Sequence, residues 1–102
     1  MTWILDDDDN PIPEPDKTKW YEWRKANHDR VCIGYSVHGE VKIIFDFVGV
    51  GPRDKLFTVE LQVPGNDSRI NGYATKKEAE IFYRRAVRSA HIAEVAHSCG
   101  VN

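Results

Sequence analysis

The residue types from which catalytic and metal sites are built occur in this chain, but few stand at spacings that bring them together. His28, His38, His91 and His97 are scattered, and the two that share a helical segment, His91 and His97, lie about a third of a turn apart. A zinc site needs donors converging from closely spaced pairs, so no metal is expected. Cys32 falls in a predicted strand and Cys99 at a helix end. Both are expected to be reduced, with Cys32 buried, and Cys99 sits at the electronegative end of its helix, where a reactive thiolate is disfavoured. Asp6, Asp7, Asp8 and Asp9 lack the spaced ligands and central glycine of a calcium loop. Gly49-Val50-Gly51-Pro52 has the glycines of a phosphate loop, yet it joins two predicted strands and has no following Gly-Lys-Ser/Thr. Asp46 and Glu60 are single outward residues on separate predicted strands and would interest acid–base chemistry only if the fold brought them together. The expectation is no catalytic residue, no metal and no cofactor.

Binding chemistry is better represented. Lys77, Ile81, Arg84, Arg85 and Arg88 share one flank of a predicted C-terminal helix, and Ile92, Val95 and Cys99 continue that flank as an apolar strip. Such a face is either simply solvated or a partner surface in which charge steers and the apolar centre supplies affinity. Burying Ile81, Ile92, Val95 and Cys99 between chains would make a homodimer or a partner contact along the C-terminal half of the helix, unless the apolar Trp3-Ile4-Leu5 segment covers the strip. Residues 1–16 hold Asp6, Asp7, Asp8, Asp9, Glu14 and Asp16 and no Lys or Arg, a charge of −6; fourteen basic and ten acidic residues leave +4 for the rest. This acidic arm is expected either to fold back on Arg84, Arg85 and Arg88 or to be a solvated tail. Trp20 and Trp23, interleaved with Lys19, Arg24 and Lys25, read as an anchor that docks a short helix, the alternative being a platform for stacking bases.

The elements that would carry these residues follow from periodicity. Trp3-Ile4-Leu5 is too apolar for a free tail and is expected to anchor on the body, as a short strand at most. Pro11, Pro13 and Pro15 fix an extended strap. Asp16 caps a short helix from Lys17 to about Asn27. The period then becomes two: Val31, Ile33, Tyr35 and Val37 alternate with Cys32, Gly34 and Ser36, and Val41, Ile43, Phe45 and Phe47 with Lys42, Ile44, Asp46 and Val48. His38-Gly39 supplies the hairpin turn between them. A third strand runs from Leu56 to Val63 with Phe57, Val59, Leu61 and Val63 inward, and Arg69 to Tyr73 has room for a fourth. Thr75 and Glu78 form a capping box for a helix starting at Lys76. Its core face is Ala79, Phe82, Tyr83, Ala86, Ala90, Ala93 and His97, and Gly100 supplies the C-terminal cap. The architecture implied is α+β: an antiparallel sheet of three or four strands, covered by a long C-terminal helix, with a short N-terminal helix. The inward set includes Ile33, Ile43, Phe45, Val59 and Leu61.

A length of 102 residues suits one domain spanning 1–102, with 1–16 as its acidic, proline-rich arm. No apolar run approaches the roughly 18 residues of a membrane span, and Met1 to Leu5 is too short for a signal-peptide core, so a soluble protein without membrane contact is expected. Net charge of −2 argues against nucleic acid as the principal partner.

The succession Asn10-Pro11-Ile12-Pro13-Glu14-Pro15-Asp16, Trp20 and Trp23, Arg30-Val31, Val41 to Phe47, Leu56-Phe57-Thr58-Val59-Glu60, then Tyr73-Ala74-Thr75 and Glu78-Ala79-Glu80 resembles a group of small uncharacterised accessory proteins of phage and prophage genomes. These share a tryptophan helix, a hydrophobic strand pair and an aromatic-x-Thr-x-x-Glu-Ala opening of the last helix. The chain departs from them in a shorter loop at Gly49 to Lys55 and a longer last helix. The resemblance covers about Asn10 to Glu80 and carries over no functional residue. It implies a virus-encoded accessory protein of the bacterial cytoplasm, and the acidic arm beside an apolar-tipped basic helix favours one that binds and inhibits a host or anti-phage defence protein, as anti-CRISPR inhibitors do. The alternatives are sequestration of a small signalling nucleotide and single-stranded nucleic-acid binding through Trp20, Trp23 and the basic flank.

Overall fold

The computed structural model describes the backbone of residues 1–98 and the side chains of residues 1–93. It is an α+β fold. A hairpin of β1 (Trp3–Leu5) and β2 (Pro11–Pro13) is followed by α1 (Lys17–Ala26) and a one-turn α2 (His28–Val31). Four antiparallel strands then form a meander in the order β3 (Cys32–His38), β4 (Val41–Phe47), β5 (Phe57–Gln62) and β6 (Arg69–Tyr73). The last helix, α3 (Lys76–Ser98), crosses all four strands on one face. No helix among the described residues is long and apolar enough to cross a membrane.

Alternation along β4 and β5 builds the core. Ile43, Phe45, Phe47, Phe57 and Val59 are buried towards α3, joined by Leu56 from the loop and Leu5 from β1. Register makes them neighbours: Phe45 stands opposite Val59 and Phe47 opposite Phe57, whose rings are 5.1 Å apart. Ile33 and Leu61 are half-buried at the margin of this cluster, whereas Val63, expected inward, is exposed because β5 ends at Gln62. From α3, Ala79 is fully buried, and its small side chain lets the helix lie close to the sheet. Phe82, Tyr83, Ala86 and Ala90 pack against the same core cluster, while Ala93 is exposed, so the core face is shorter than its sequence period. Glu78 N donates to Thr75 Oγ1 at 3.2 Å, as a capping box requires, but the Thr75 hydroxyl itself donates to Glu78 Oε1 at 3.0 Å, in place of the expected bond from the cap amide. The side chains of Val95 and His97, and Cys99 and the Gly100 cap altogether, lie outside the described residues.

The N-terminal segment is a built hairpin, neither strap nor tail. Hydrogen bonds Asp6 N to Asn10 O and Glu14 N to Thr2 O, both 2.9 Å, alternate with the pairs Leu5–Pro11 and Trp3–Pro13. The prolines therefore occupy the ladder positions where no N–H is needed, which is how two of them fit one strand. The free edge of β1 is tied to the body where Trp3 N donates to Gly49 O at 2.8 Å. Gly49 has φ of +70°, and a Cβ there would meet Trp3 O at 2.8 Å, so both the turn and the close approach require glycine.

Strand β3 departs from plain alternation. Cys32 pairs with Asp46 but Gly34 with Phe45, a bulge that changes the parity of everything after it. Gly34, Ser36 and His38 face α3 with Phe45, Ile43 and Val41, and Tyr35 and Val37 are turned to the uncovered face, 62% and 49% exposed. The same irregularity leaves Cys32 exposed rather than buried.

Candidate functional site

Two of the four consecutive aspartates, Asp6 and Asp9, are used inside the molecule. Asp6 Oδ1 accepts from the amides of Asp8 and Asn10, both at 2.9 Å, closing the hairpin turn, and Asp7 and Asp8 are exposed at its tip. Asp9, at φ +62°, accepts from Arg30 at 2.7 Å and from Lys76 at 3.0 Å, and Arg30 also donates to Asp6 O. The arm thus docks on α2 and the first turn of α3, not on Arg84, Arg85 and Arg88. Burial alone would raise the Asp9 carboxyl, but the hydrogen bonds and charges of Arg30 and Lys76 outweigh it and hold it below the ordinary aspartate value.

Trp20 and Trp23 are docked. The Trp20 indole donates to Trp3 O at 3.1 Å, and Trp23 meets the Phe47 ring edge-on at 6.0 Å. Arg24 and Arg30 lie over these rings, at 5.0 and 5.6 Å from the centroids, so each ring carries a cation over one face. Arg24 is spent structurally too, donating to Phe47 O at 3.0 Å and Val48 O at 2.8 Å.

The flank of α3 is as open as its composition suggests. Lys77, Arg84, Arg85 and Arg88 are exposed, with Ile81 at 46% and Ile92 at 57%. Among the described residues only Glu80 answers these charges within the helix, accepting from Arg84 at 2.6 Å. The Trp3–Leu5 segment pairs with the Gly49 loop and Leu5 enters the core, so it does not cover Ile81 or Ile92, the described apolar residues of this flank.

Beside that flank a cleft of about 430 Å³ opens between α3 and the end of β3, lined by His38, Tyr83, Arg84, Val87, Arg88 and His91. The β3 bulge makes it. With Gly34 turned to α3, the Tyr83 ring lies where a Cβ would approach within 2.9 Å, and Ser36 and His38 follow on the same side. Ser36 Oγ is 2.6 Å from His38 Nε2, and the His38 and His91 rings meet edge to face at 6.0 Å. Burial pushes the Tyr83 hydroxyl up, against a lowering hydrogen bond with Ser36. The cleft therefore has apolar walls from Tyr83 and Val87 and a rim of two arginines and two imidazoles, an arrangement that suits carboxylates or phosphates attached to apolar groups.

On the uncovered face the fold does bring Asp46 and Glu60 to diagonal positions: Asp46 stands opposite Thr58, and Glu60 opposite Ile44. Burial raises the Asp46 carboxyl; Arg24 opposes this and the Glu60 charge adds to it. Gln62 Nε2 donates to Glu60 Oε2 at 2.7 Å, and Cys32 Sγ is 3.9 Å from His28 Nδ1. Among the described residues no group of three or more His, Cys, Asp or Glu is placed to hold a metal.

Of the cleft residues, periodicity singles out only Arg84 and Arg88 as a binding flank. His38 and His91 are far apart in sequence, and simple alternation places Ser36 on the other face; Gly34, a glycine inside a strand pattern, is the available signal of the bulge. No protein-family model, no curated protein and no solved structure matches this chain.

Proposed function

We propose that the protein acts by contact, binding and occluding a partner protein through the outer flank of α3. In the setting its resemblance implies, that partner is a host or anti-phage defence protein, and the protein is a non-enzymatic accessory inhibitor. The observation that carries this reading is the exposure of Lys77, Ile81, Arg84, Arg85, Arg88 and Ile92 on one helix face while the chain's own acidic loop is engaged by Arg30 and Lys76. A basic, apolar-centred surface not neutralised by that loop suits an acidic partner surface.

The experiment is affinity capture from host-like lysate, read together with native mass spectrometry of the purified protein. A stoichiometric protein partner that is lost on Arg84→Glu with Arg88→Glu, and whose capture weakens with salt, supports occlusion. A phosphate-bearing small molecule retained without any protein partner overturns it in favour of sequestration.

A further inference from the structure

We infer that an extended acidic segment of the partner adds to the sheet as a fifth strand along the free edge of β3. This rests on the contact reading above and names the form the contact takes. Among the described residues β3 is an edge strand, paired only with β4. Its two-residue turn at Gly39-Glu40 makes His38–Val41 the hydrogen-bonded pair next to the turn, so the backbone groups of Tyr35 and Val37 point outward along the free edge. Edge strands are commonly protected by charge or proline, and none of the seven residues of β3 is Lys, Arg, Asp, Glu or Pro. The opposite edge, β6, begins with Arg69 and has Lys55 packed against it at Gly72, where an added Cβ would meet Lys55 Cβ at 2.7 Å. The bulge limits the regular free edge of β3 to Gly34 through His38.

Side chains of an added strand would alternate between faces. Those beside Ser36 and His38 would point to the α3 side, into the cleft rimmed by Arg84, Arg88 and His91; those beside Tyr35 and Val37 would lie on the open face with these two exposed apolar side chains. The occupant is thereby specified: acidic residues at every second position, β-branched or aromatic residues between them. Glu80, held against Arg84 at 2.6 Å, shows a carboxylate already seated on this flank. A second copy of the chain fits poorly, because two β3 edges meeting about a twofold axis would bring Arg84 and Arg88 of both copies together. The chain's own acidic loop is held by Arg30 and Lys76.

The test uses a fluorescent peptide of the seven-residue length of β3, alternating glutamate and valine, in anisotropy titrations against the full chain. Saturable binding is expected, weakened by about tenfold or more in the Arg84→Glu, Arg88→Glu variant, and lost when the peptide's backbone is N-methylated at alternate residues. Val37→Pro, which removes an outward N–H of β3 and whose folding is checked by circular dichroism, should weaken binding comparably. Failure to saturate at millimolar peptide, equal binding of a lysine–valine peptide, or indifference to N-methylation overturns the proposal. If a captured partner protects Ile81, Arg85 and Ile92 from exchange while the amides of Tyr35 and Val37 exchange as in the free protein, strand addition fails and contact through α3 stands.

Discussion

Asp9 shows how a single side chain joins three elements. It sits in the β1–β2 turn and accepts from Arg30 of α2 and Lys76 of α3. Because its pKa is depressed in the folded protein, its contribution is fully present above the unfolded value near 3.8 and is lost as pH falls through the lower folded value. Asp9→Asn keeps a residue tolerant of φ +62° and removes only the charge. It should cost about 1 kcal/mol at neutral pH, allowing for partial exposure of both pairs. In urea melts the gap between variant and wild type should close below about pH 4; a gap that persists unchanged there would assign the effect to packing. Phe82 gives a second contrast. Its period places it on the core face, but it is only half-buried, its ring 5.7 Å from that of Tyr73. Phe82→Ala should therefore cost about 1–2 kcal/mol, and Phe57→Ala, at a fully buried position, about 3–5 kcal/mol. Equal losses in the two melts would place Phe82 in the core centre.

At the scale of elements, legibility followed regularity. Strands β4 and β5 and helix α3 could be read because apolar residues recur at fixed period and a capping residue marks where the helix starts. The cleft could not, since it depends on one extra residue in β3 that reverses the faces of Ser36 and His38 and sets His38 beside His91. The proline stretch that forms β2 reads as a strap because proline argues against strands, although Trp3-Ile4-Leu5 reads as a short strand; that both prolines fall at non-hydrogen-bonded sites emerges only once the register is known. Gly34 links the bulge to the cleft. Gly34→Ala should cost about 1–3 kcal/mol by forcing the Tyr83 ring, 2.9 Å from the new Cβ, off the strand. The same substitution in a Tyr83→Ala background should cost clearly less, since the clash is then absent. Additive losses in thermal melts of the four proteins would mean that the bulge, not the ring, requires glycine.

Across the whole molecule, the N-terminal hairpin closes the end of the core that α3 leaves open. Leu5 is 3% exposed and clusters with Phe47 and Leu56, β1 hydrogen-bonds to the Gly49 loop, and the turn is tied to α2 and α3 through Asp9. Losing Leu5 alone is worth about 2–5 kcal/mol, against a total stability of about 5–15 kcal/mol for a domain. Deleting residues 1–14 removes that side chain together with the ladder and both ion pairs, and bares Leu56 and Phe47 to water. The shortened chain should therefore lose its cooperative melt and bind a hydrophobic dye at room temperature, while Leu5→Ala in the full chain keeps a cooperative transition at lower temperature. The strands of the meander are joined by their own hairpins and can retain far-ultraviolet dichroism without fixed packing, so dye binding and the sharpness of the transition are the decisive readings. A shortened protein that melts cooperatively within about 5 °C of the full chain would show that the hairpin is an appendage and that α3 and the sheet suffice for the fold.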